Sequence, residues 1–334
     1  MAADIIGIGV SLPEKILTNA DLEKMVDTSD EWIVARTGIR ERRIIDDDAA
    51  VSDLAAAAGL AAIEDAGITG DEIDLVLVAT GSPEMIWPST ACLAQGKMGL
   101  PRCAAFDLQA ACTGFVYGLA VADSLISSGL FKTVLLIGAE AMSRVVDWSD
   151  RKTCILFGDG AGAVVLREAR PGYGVLASYL DADGSGADLL KIPGGGSGGG
   201  CGPEGPGEAR QKIEMSGTEI FRFAVKILPE CVESALRKAG LTVEDVDYFL
   251  PHQANQRIIA AALERLGLPK ERTIGNIAKY GNTSTASIPL ALDEIFRAKL
   301  LKQGDIIVTA AFGAGLTWGA NVIKWNGTSG GMDA

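Results

Sequence analysis

Histidine is almost absent from this chain: His252 is the only one in 334 residues. The six cysteines (Cys92, Cys103, Cys112, Cys154, Cys201, Cys231) form no C-x-x-C pair. One imidazole and scattered thiols give little basis for a metal site, and no disulfide framework is expected. Basic residues are outnumbered, 30 Lys and Arg against 43 Asp and Glu, and the net charge of -13 argues against general nucleic-acid binding. An acidic partner would need a local basic patch. Long apolar runs are missing as well. The hydrophobic stretches are broken by Gly, Asp or Glu before they reach the length of a membrane span, and Met1 to Val10 lacks the basic start of a secretory leader. What is plentiful is core: 48% hydrophobic residues and a mean hydropathy of +0.23 suffice for one large domain or two ordinary ones. A soluble, cytoplasmic protein that binds neither membrane nor nucleic acid is expected.

The chain is organised around Asp107 to Phe115. Cys103 to Phe106 reads as a strand and Phe115 to Ser127 as a helix, so Cys112 is expected at a sharp strand-to-helix turn. Free backbone N–H groups and the helix dipole there favour the thiolate, which can pull a cysteine below its usual pKa of roughly 8.5. Asp4 to Val10 reads as the first strand and Asn19 to Val26 as a short helix capped by Asn19. Asp30 to Arg43 sets Arg36, Arg40, Arg42 and Arg43 around Trp32, phosphate forks beside a stacking surface, which suits a nucleotide carrier. On composition alone, a solvated charged surface with one half-buried tryptophan is the simpler reading. Gly158 to Ala163 leads into a strand and not a helix, so these glycines read as turn and close packing and not as a phosphate loop. Between Gly194 and Gly207 the chain is mostly glycine, with no apolar face to bury; a mobile surface loop is expected, with Cys201 incidental. Further on, Gln256 to Leu266 and Ser287 to Leu300 read as helices, Ile274 to Thr283 as a loop and Phe312 to Gly315 as a tight turn.

An internal repeat carries the argument to function. Ala66-Gly67-Ile68-Thr69-Gly70-Asp71-Glu72-Ile73-Asp74 matches Ala239-Gly240-Leu241-Thr242-Val243-Glu244-Asp245-Val246-Asp247, 173 positions on, and Ala122 to Leu125 resembles Leu292 to Ile295, 170 positions on. A duplicated α/β unit follows, with halves at 1–172 and 173–334. An offset of 170 places Cys112 on Asn282, and 173 places the strand end before Gly81 on His252. Equivalent strand ends in two such halves face one crevice, where open α/β sheets bind ligands. Cys112, His252 and Asn282 are therefore expected to converge.

The Ala111-Cys112-Thr113-Gly114 elbow, Pro251-His252-Gln253-Ala254-Asn255, Gly281-Asn282-Thr283-Ser284, Phe312-Gly313-Ala314-Gly315-Leu316-Thr317-Trp318-Gly319 and Asp30 to Arg43 together resemble β-ketoacyl-[acyl-carrier-protein] synthase III, one of the thiolase-fold condensing enzymes. The resemblance spans nearly the whole chain. It implies a five-layered αβαβα fold, a homodimer, no cofactor, and the first condensation of type II fatty acid synthesis, between a short acyl-CoA such as acetyl-CoA and malonyl-acyl-carrier protein. It further implies that Cys112, His252 and Asn282 are catalytic, with an oxyanion hole from the backbone N–H of Cys112 and Ala314. Trp32, Arg36, Thr37, Arg151 and Asn255 would contact CoA, with Trp32 and Arg151 sandwiching the adenine. Arg257 would contact the acidic carrier protein, with Arg222 and Lys226 weaker candidates. Trp87, reaching across from the partner subunit, and Phe312 would close the acyl pocket. Elongating relatives use two histidines, which this chain cannot supply.

Three other readings compete. A starter-unit synthase of secondary metabolism would differ in its primer. A Cys-His-Asn hydrolase would share the catalytic residue types, although the duplication and the lack of a protease-like Cys-Gly-Ser-Cys-Trp setting speak against it. A non-catalytic binding protein would leave Cys112 unreactive.

Overall fold

Leu75–Ala79 and Val134–Glu140 are buried at every position, the mark of strands covered on both faces. The computed structural model describes residues 2–194, 196–197 and 212–327. Most of the glycine-rich segment, Cys201 included, lies outside the described residues. The first half runs β1 (Ala3–Ser11), β2 (Ile16–Thr18), α1 (Asn19–Leu22), α2 (Asp30–Thr37), β3 (Glu41–Arg43), α3 (Val51–Asp65), β4 (Leu75–Ala79), α4 (Thr90–Lys97), β5 (Ala104–Leu108), α5 (Gly114–Ser127), β6 (Val134–Glu140) and β7 (Gly160–Glu168). The second runs β8 (Gly174–Ala182), β9 (Leu190–Lys191), β10 (Glu214–Met215), α6 (Gly217–Ala239), β11 (Tyr248–Pro251), α7 (Gln256–Leu266), α8 (Ile277–Tyr280), α9 (Ser287–Arg297), β12 (Ile306–Gly313) and β13 (Thr317–Lys324).

Two sheets have matching orders, β1-β7-β6-β4-β5 and β8-β13-β12-β11, each mixed parallel and antiparallel; the second lacks a counterpart of β5 among the described residues. Alternation along each strand divides the core. Leu75 and Leu77 of β4 join Phe115 and Leu119 of α5, Ile288 and Leu292 of α9, and Ile307 of the second sheet in one central cluster. Val76 and Val78 face the other way, onto the alanine-rich α3 and onto α4. On the far side α6 and α7 cover the second sheet through Leu228, Val232, Ile259 and Leu263. The layers are therefore α3/α4, sheet, α5/α9, sheet, α6/α7, the thiolase-like αβαβα arrangement of two duplicated halves. Each fully buried aliphatic side chain in these layers contributes about 1.5–3 kcal/mol.

The sequence repeat marks a local device. Thr69 and Thr242 each begin a short turn, Gly70–Glu72 and Val243–Asp245, closed by capping boxes. Asp74 then accepts the N–H groups of Lys132 and Thr133 at the start of β6, and Asp247 accepts that of Ile306 at the start of β12. Each pair of repeated residues fixes where the neighbouring parallel strand begins.

Several local expectations change. Thr18, not Asn19, caps α1; Asn19 is buried, donating to Asp30 and the Ile39 carbonyl while accepting from Arg42. The segment 274–283 is not all loop, since α8 forms within it. Helix α9 stops at Arg297, three residues early. Phe312 and Gly313 extend β12 instead of opening a turn, because their backbones still pair with Trp318 and Thr317. Glycines 160 and 162 lie inside β7. Among the described residues, no helix is long and apolar enough to cross a membrane and no cluster of side chains could hold a metal ion.

Candidate active site

Cys112 sits in a short 3-10 turn, Ala111–Thr113, between β5 and α5. Ala111 opens the turn with φ 45°, in the left-handed region that side chains disfavour. The corresponding turn of the second half is Ser284–Ala286, opened by Ser284 at φ 49°. Ala111 and Ser284 are 173 positions apart, so the structural counterpart of Cys112 is Thr285. The offset of 170 that paired Cys112 with Asn282 is corrected by three residues. Asn282 still comes to the nucleophile, by another route: its Oδ1 accepts the Ser284 N–H at 2.8 Å, and the Ser284 hydroxyl lies 3.3 Å from Cys112 Sγ.

That bond orients the carboxamide, because an oxygen held by Ser284 turns the Asn282 amide nitrogen toward other partners as a donor. The backbone of Asn282 is pinned to the neighbouring segment, its N–H to the Leu156 carbonyl at 2.8 Å and its carbonyl to the Gly158 N–H at 3.1 Å. His252 follows the last residue of β11, and its N–H bonds the Ala310 carbonyl of β12 at 2.8 Å. Its Nδ1 lies 2.7 Å from Ser287 Oγ, which also accepts the Gln253 N–H. The Ser287 hydroxyl has no other acceptor among the described residues, so its hydrogen is assigned to Nδ1, which leaves Nε2 as the N–H donor. Burial lowers the His252 pKa to about 3, so the imidazole is neutral at working pH. Two neutral N–H donors, one from His252 and one from Asn282, are thereby prepared.

Strand β12 joins the histidine to the nucleophile. The Phe312 ring stands edge-on to His252, 5.7 Å between centroids, and a Cβ on Gly313 would stand 2.9 Å from the Cys112 nitrogen. Glycine is required there by close approach. Ala314, next along, lines a cavity of about 710 Å³ together with Cys112, Glu140 and Ser284. Its apolar wall includes Met142, Val145, Phe157, Leu190, Ile192 and Ile213, which sequence reasoning did not select.

Burial decides the state of the thiol. Desolvation outweighs the hydrogen bond from Ser284, and with Glu140 nearby it pushes Cys112 up to about 12, not down as its place before a helix suggests.

The remaining site residues divide. Arg151 lies over the Trp32 ring at 4.9 Å and Arg36 at 5.8 Å. A ring sandwiched between Trp32 and Arg151 would need roughly 7 Å, two contact distances, so the guanidinium must swing away from the Asp27 carbonyl it donates to at 2.6 Å. Asn255 caps α7 by accepting the Arg257 N–H and donates to the Arg36 carbonyl, which ties the two segments together. Arg257 is exposed, its guanidinium over the Phe221 ring at 5.0 Å. Thr37 is buried, its hydroxyl donating to the Ile33 carbonyl and accepting the Ile39 N–H, so it closes α2. Phe312 packs on His252 and Phe223 and is not part of the cavity wall. Trp87 is 81% exposed and does not line the cavity of its own chain, whereas its neighbour Ile86, 72% exposed, does.

Comparison with known proteins agrees with the fold and the motifs. The family described as 3-oxoacyl-[acyl-carrier-protein (ACP)] synthase III matches residues 106–184, and its C-terminal part matches 236–325. The β-ketoacyl-[acyl-carrier-protein] synthase III of Caldanaerobacter subterraneus subsp. tengcongensis is 52% identical over 326 residues, 98% of each chain. The crystal structure of 3-oxoacyl-[acyl-carrier-protein] synthase III from Aquifex aeolicus VF5 has a TM-score of 0.90 at 47% identity, over 97% of this chain and all of that one. The priming β-ketosynthase of the R1128 polyketide pathway also reaches 0.90, at 34% identity, over 97% of this chain and 96% of that one. The chain belongs to the 3-oxoacyl-[acyl-carrier-protein] synthase III family, also called β-ketoacyl-[acyl-carrier-protein] synthase III.

Proposed function

We propose that this acyltransferase starts type II fatty acid synthesis in the cytoplasm by condensing a short acyl-CoA, acetyl-CoA foremost, with malonyl-acyl-carrier protein, yielding 3-oxoacyl-acyl-carrier protein, CoA and CO2. The observation that carries this reading is the preparation of neutral N–H donors at His252 and Asn282 beside the cavity that holds Cys112. A hydrolase needs a histidine that accepts protons. This one is a poor base, its pKa lowered to about 3 by burial and its Nδ1 lone pair taken by Ser287, which suits stabilisation of negative charge.

Cys112 takes the acyl group from CoA in a first half-reaction, and the backbone N–H groups of Cys112 and Ala314 hold the developing oxyanion. In the second, loss of CO2 from the malonyl thioester places negative charge on the thioester oxygen, and His252 Nε2 and the Asn282 amide donate to it. No base is required, since the departing carboxylate leaves its electron pair behind. The enolate carbon then attacks the acyl carbonyl. No metal or cofactor has a step in this sequence. Trp32, Arg36, Arg151 and Asn255 bind CoA at the mouth, and Arg257 meets the acidic carrier protein. Two chains pair as a homodimer in which Trp87 enters the partner's acyl pocket, an arrangement supported by its exposure together with Ile86.

A second reading, a starter-unit synthase of secondary metabolism, draws support from the 34% identity to the priming β-ketosynthase. One experiment addresses both. The protein is mixed with competing acetyl-, isobutyryl- and longer acyl-CoAs, and its intact mass is read before and after malonyl-acyl-carrier protein is added. An acetyl adduct, absent in Cys112→Ser and discharged by the malonyl thioester, is the expected result. Preference for a branched or long primer would favour the second reading, and loss of the adduct to water alone would defeat both.

A further inference from the structure

Glu140 ends β6 after six consecutive apolar or small residues, is fully buried, and lines the cavity beside Cys112. A buried carboxylate of this kind is normally paired with a cation, yet no ion pair reaches it among the described residues. Donors surround it instead. The Gly81 N–H lies 3.1 Å from both oxygens. The Ser82 hydroxyl is committed to it, since Ser82 Oγ accepts the Ala141 N–H. The Ser284 hydroxyl lies 2.8 Å from Glu140 Oε1 and 3.3 Å from Cys112 Sγ. Ser284 holds this bridging place from a left-handed backbone, φ 49°, a conformation that persists only where the surroundings impose it.

We propose that Ser284 and Glu140 form a proton relay to the nucleophile, with Ser284 touching the sulfur and Glu140 holding the proton while the acyl group is on Cys112. The proposal rests on the thioester reading above. The relay has two states. In one, Cys112 S–H donates to Ser284 and Ser284 donates to the Glu140 carboxylate. In the other, protonated Glu140 donates to Ser284 and Ser284 donates to the thiolate. Acylation forms the bond from Sγ to the acyl carbon and breaks the bond from that carbon to the CoA sulfur. The Cys112 proton passes to Ser284 as the Ser284 proton passes to Glu140, and the departing CoA thiolate is protonated by water. Condensation forms the carbon–carbon bond and breaks the bond to Sγ, and the thiolate recovers its proton by the same hops in reverse. Ser284 is thus catalytic and Glu140 a positioning residue that acts through it.

Burial raises both the thiol and the carboxyl pKa, so Glu140 is a stronger base than an exposed carboxylate and a proton it takes up is held. His252, engaged with Ser287, makes no hydrogen bond to the thiol among the described residues. Glu84 and Lys191 are the other ionisable side chains on the cavity wall; Glu84 accepts the Ser52 N–H and Lys191 pairs with Asp188 and Glu214.

The test is quenched-flow acetylation by acetyl-CoA, read by intact mass from about pH 6 to about pH 9, in the full chain, Glu140→Gln, Ser284→Ala and the double variant. Each single change is expected to slow acylation about 100-fold near neutrality, with the deficit shrinking as hydroxide replaces the internal base. Because the hops are in series, the double variant should be no slower than the slower single. Infrared difference spectra should show a protonated carboxyl appearing on acetylation of the unaltered chain and absent in Glu140→Gln. A deficit constant across pH and additive in the double, or no deficit, would overturn the relay. Should Glu140→Gln not fold by circular dichroism, the pH profile of Ser284→Ala decides alone. Failure of the unaltered chain to acetylate would overturn the thioester reading itself, and the relay with it.

Discussion

The two halves of the chain have the same backbone at the centre and different side chains on it. Ala111–Thr113 and Ser284–Ala286 are both short turns opened by a left-handed residue and followed by a central helix. At the nucleophile's position the second half has Thr285, buried, its hydroxyl without a partner among the described residues. At the position of His252 the first half has Ala79, the last residue of β4. Where Ser287 supports the histidine, the first half has Gly114, and a Cβ there would stand 3.0 Å from Thr285 Oγ1 and 3.1 Å from Ala79. Each half thus keeps a different one of two equivalent sites, and the other is filled by packing. Duplication supplied the crevice twice over, and our reading places the nucleophile on the first half and the enolate-stabilising donors, His252 and Asn282, on the second.

Cys112→Ala should break this division most sharply. Acyl-enzyme formation and condensation are expected to fall on the order of 10⁴-fold or more, while decarboxylation of malonyl-acyl-carrier protein, followed by CO2 release, persists. Parallel loss of both would mean that the halves do not act separately. The converse variants, His252→Ala and Asn282→Ala, should lower decarboxylation about 100- to 1,000-fold each, and His252→Ala should leave single-turnover acetylation within a few-fold, which intact mass would register.

The two halves also differ in what protons do to them. His252 has its pKa lowered in the fold, to about 3, so the unfolded chain binds a proton first as the pH falls below roughly 6.5. Stability from this group is full above that value and is lost progressively as pH falls toward 3. Urea titrations should show a loss of about 2 kcal/mol between pH 6.5 and 5 that is missing in His252→Gln, whose side chain does not titrate. Carboxylates with raised pKa values, such as Glu140 and Asp159, act in the opposite sense, which is why the difference between the two proteins is the quantity to plot.

Legibility followed the same lines. The fully buried strands were readable because covering both faces demands continuous apolar runs, and the repeat was readable because Thr69 with Asp74 and Thr242 with Asp247 perform one local task twice. The misplacement of Asn282 came from the second match, Ala122 to Leu125 with Leu292 to Ile295. Both segments lie on the central helices α5 and α9, and a helix face repeats every three to four residues, so a slip of three leaves its pattern nearly intact. The thiol was misjudged because a sequence displays the helix that follows Cys112 and not the depth at which it is buried. Glu140 does leave a trace in the sequence, an acid closing the apolar run Val134 to Ala139.

Ser287→Ala makes the second half resemble the first at its smallest point of difference. Removing the hydroxyl takes the partner from His252 Nδ1 and from the Gln253 N–H, both buried. The imidazole is then free to place its hydrogen on Nδ1, and the fraction with Nε2–H directed at the thioester oxygen falls. A lost buried partner of this kind costs about 1–3 kcal/mol, so decarboxylation should drop about tenfold in kcat with little change in KM for the malonyl thioester. Acetylation of Cys112 should be unaffected, since the first half has glycine at the matching place and needs no such support. Ser287→Thr, which keeps the hydroxyl, should restore most of the rate. If acetylation fell with decarboxylation, Ser287 would be packing shared by both halves, and the partition of chemistry between them would have to be redrawn around β12, the strand that touches His252 and Cys112 alike.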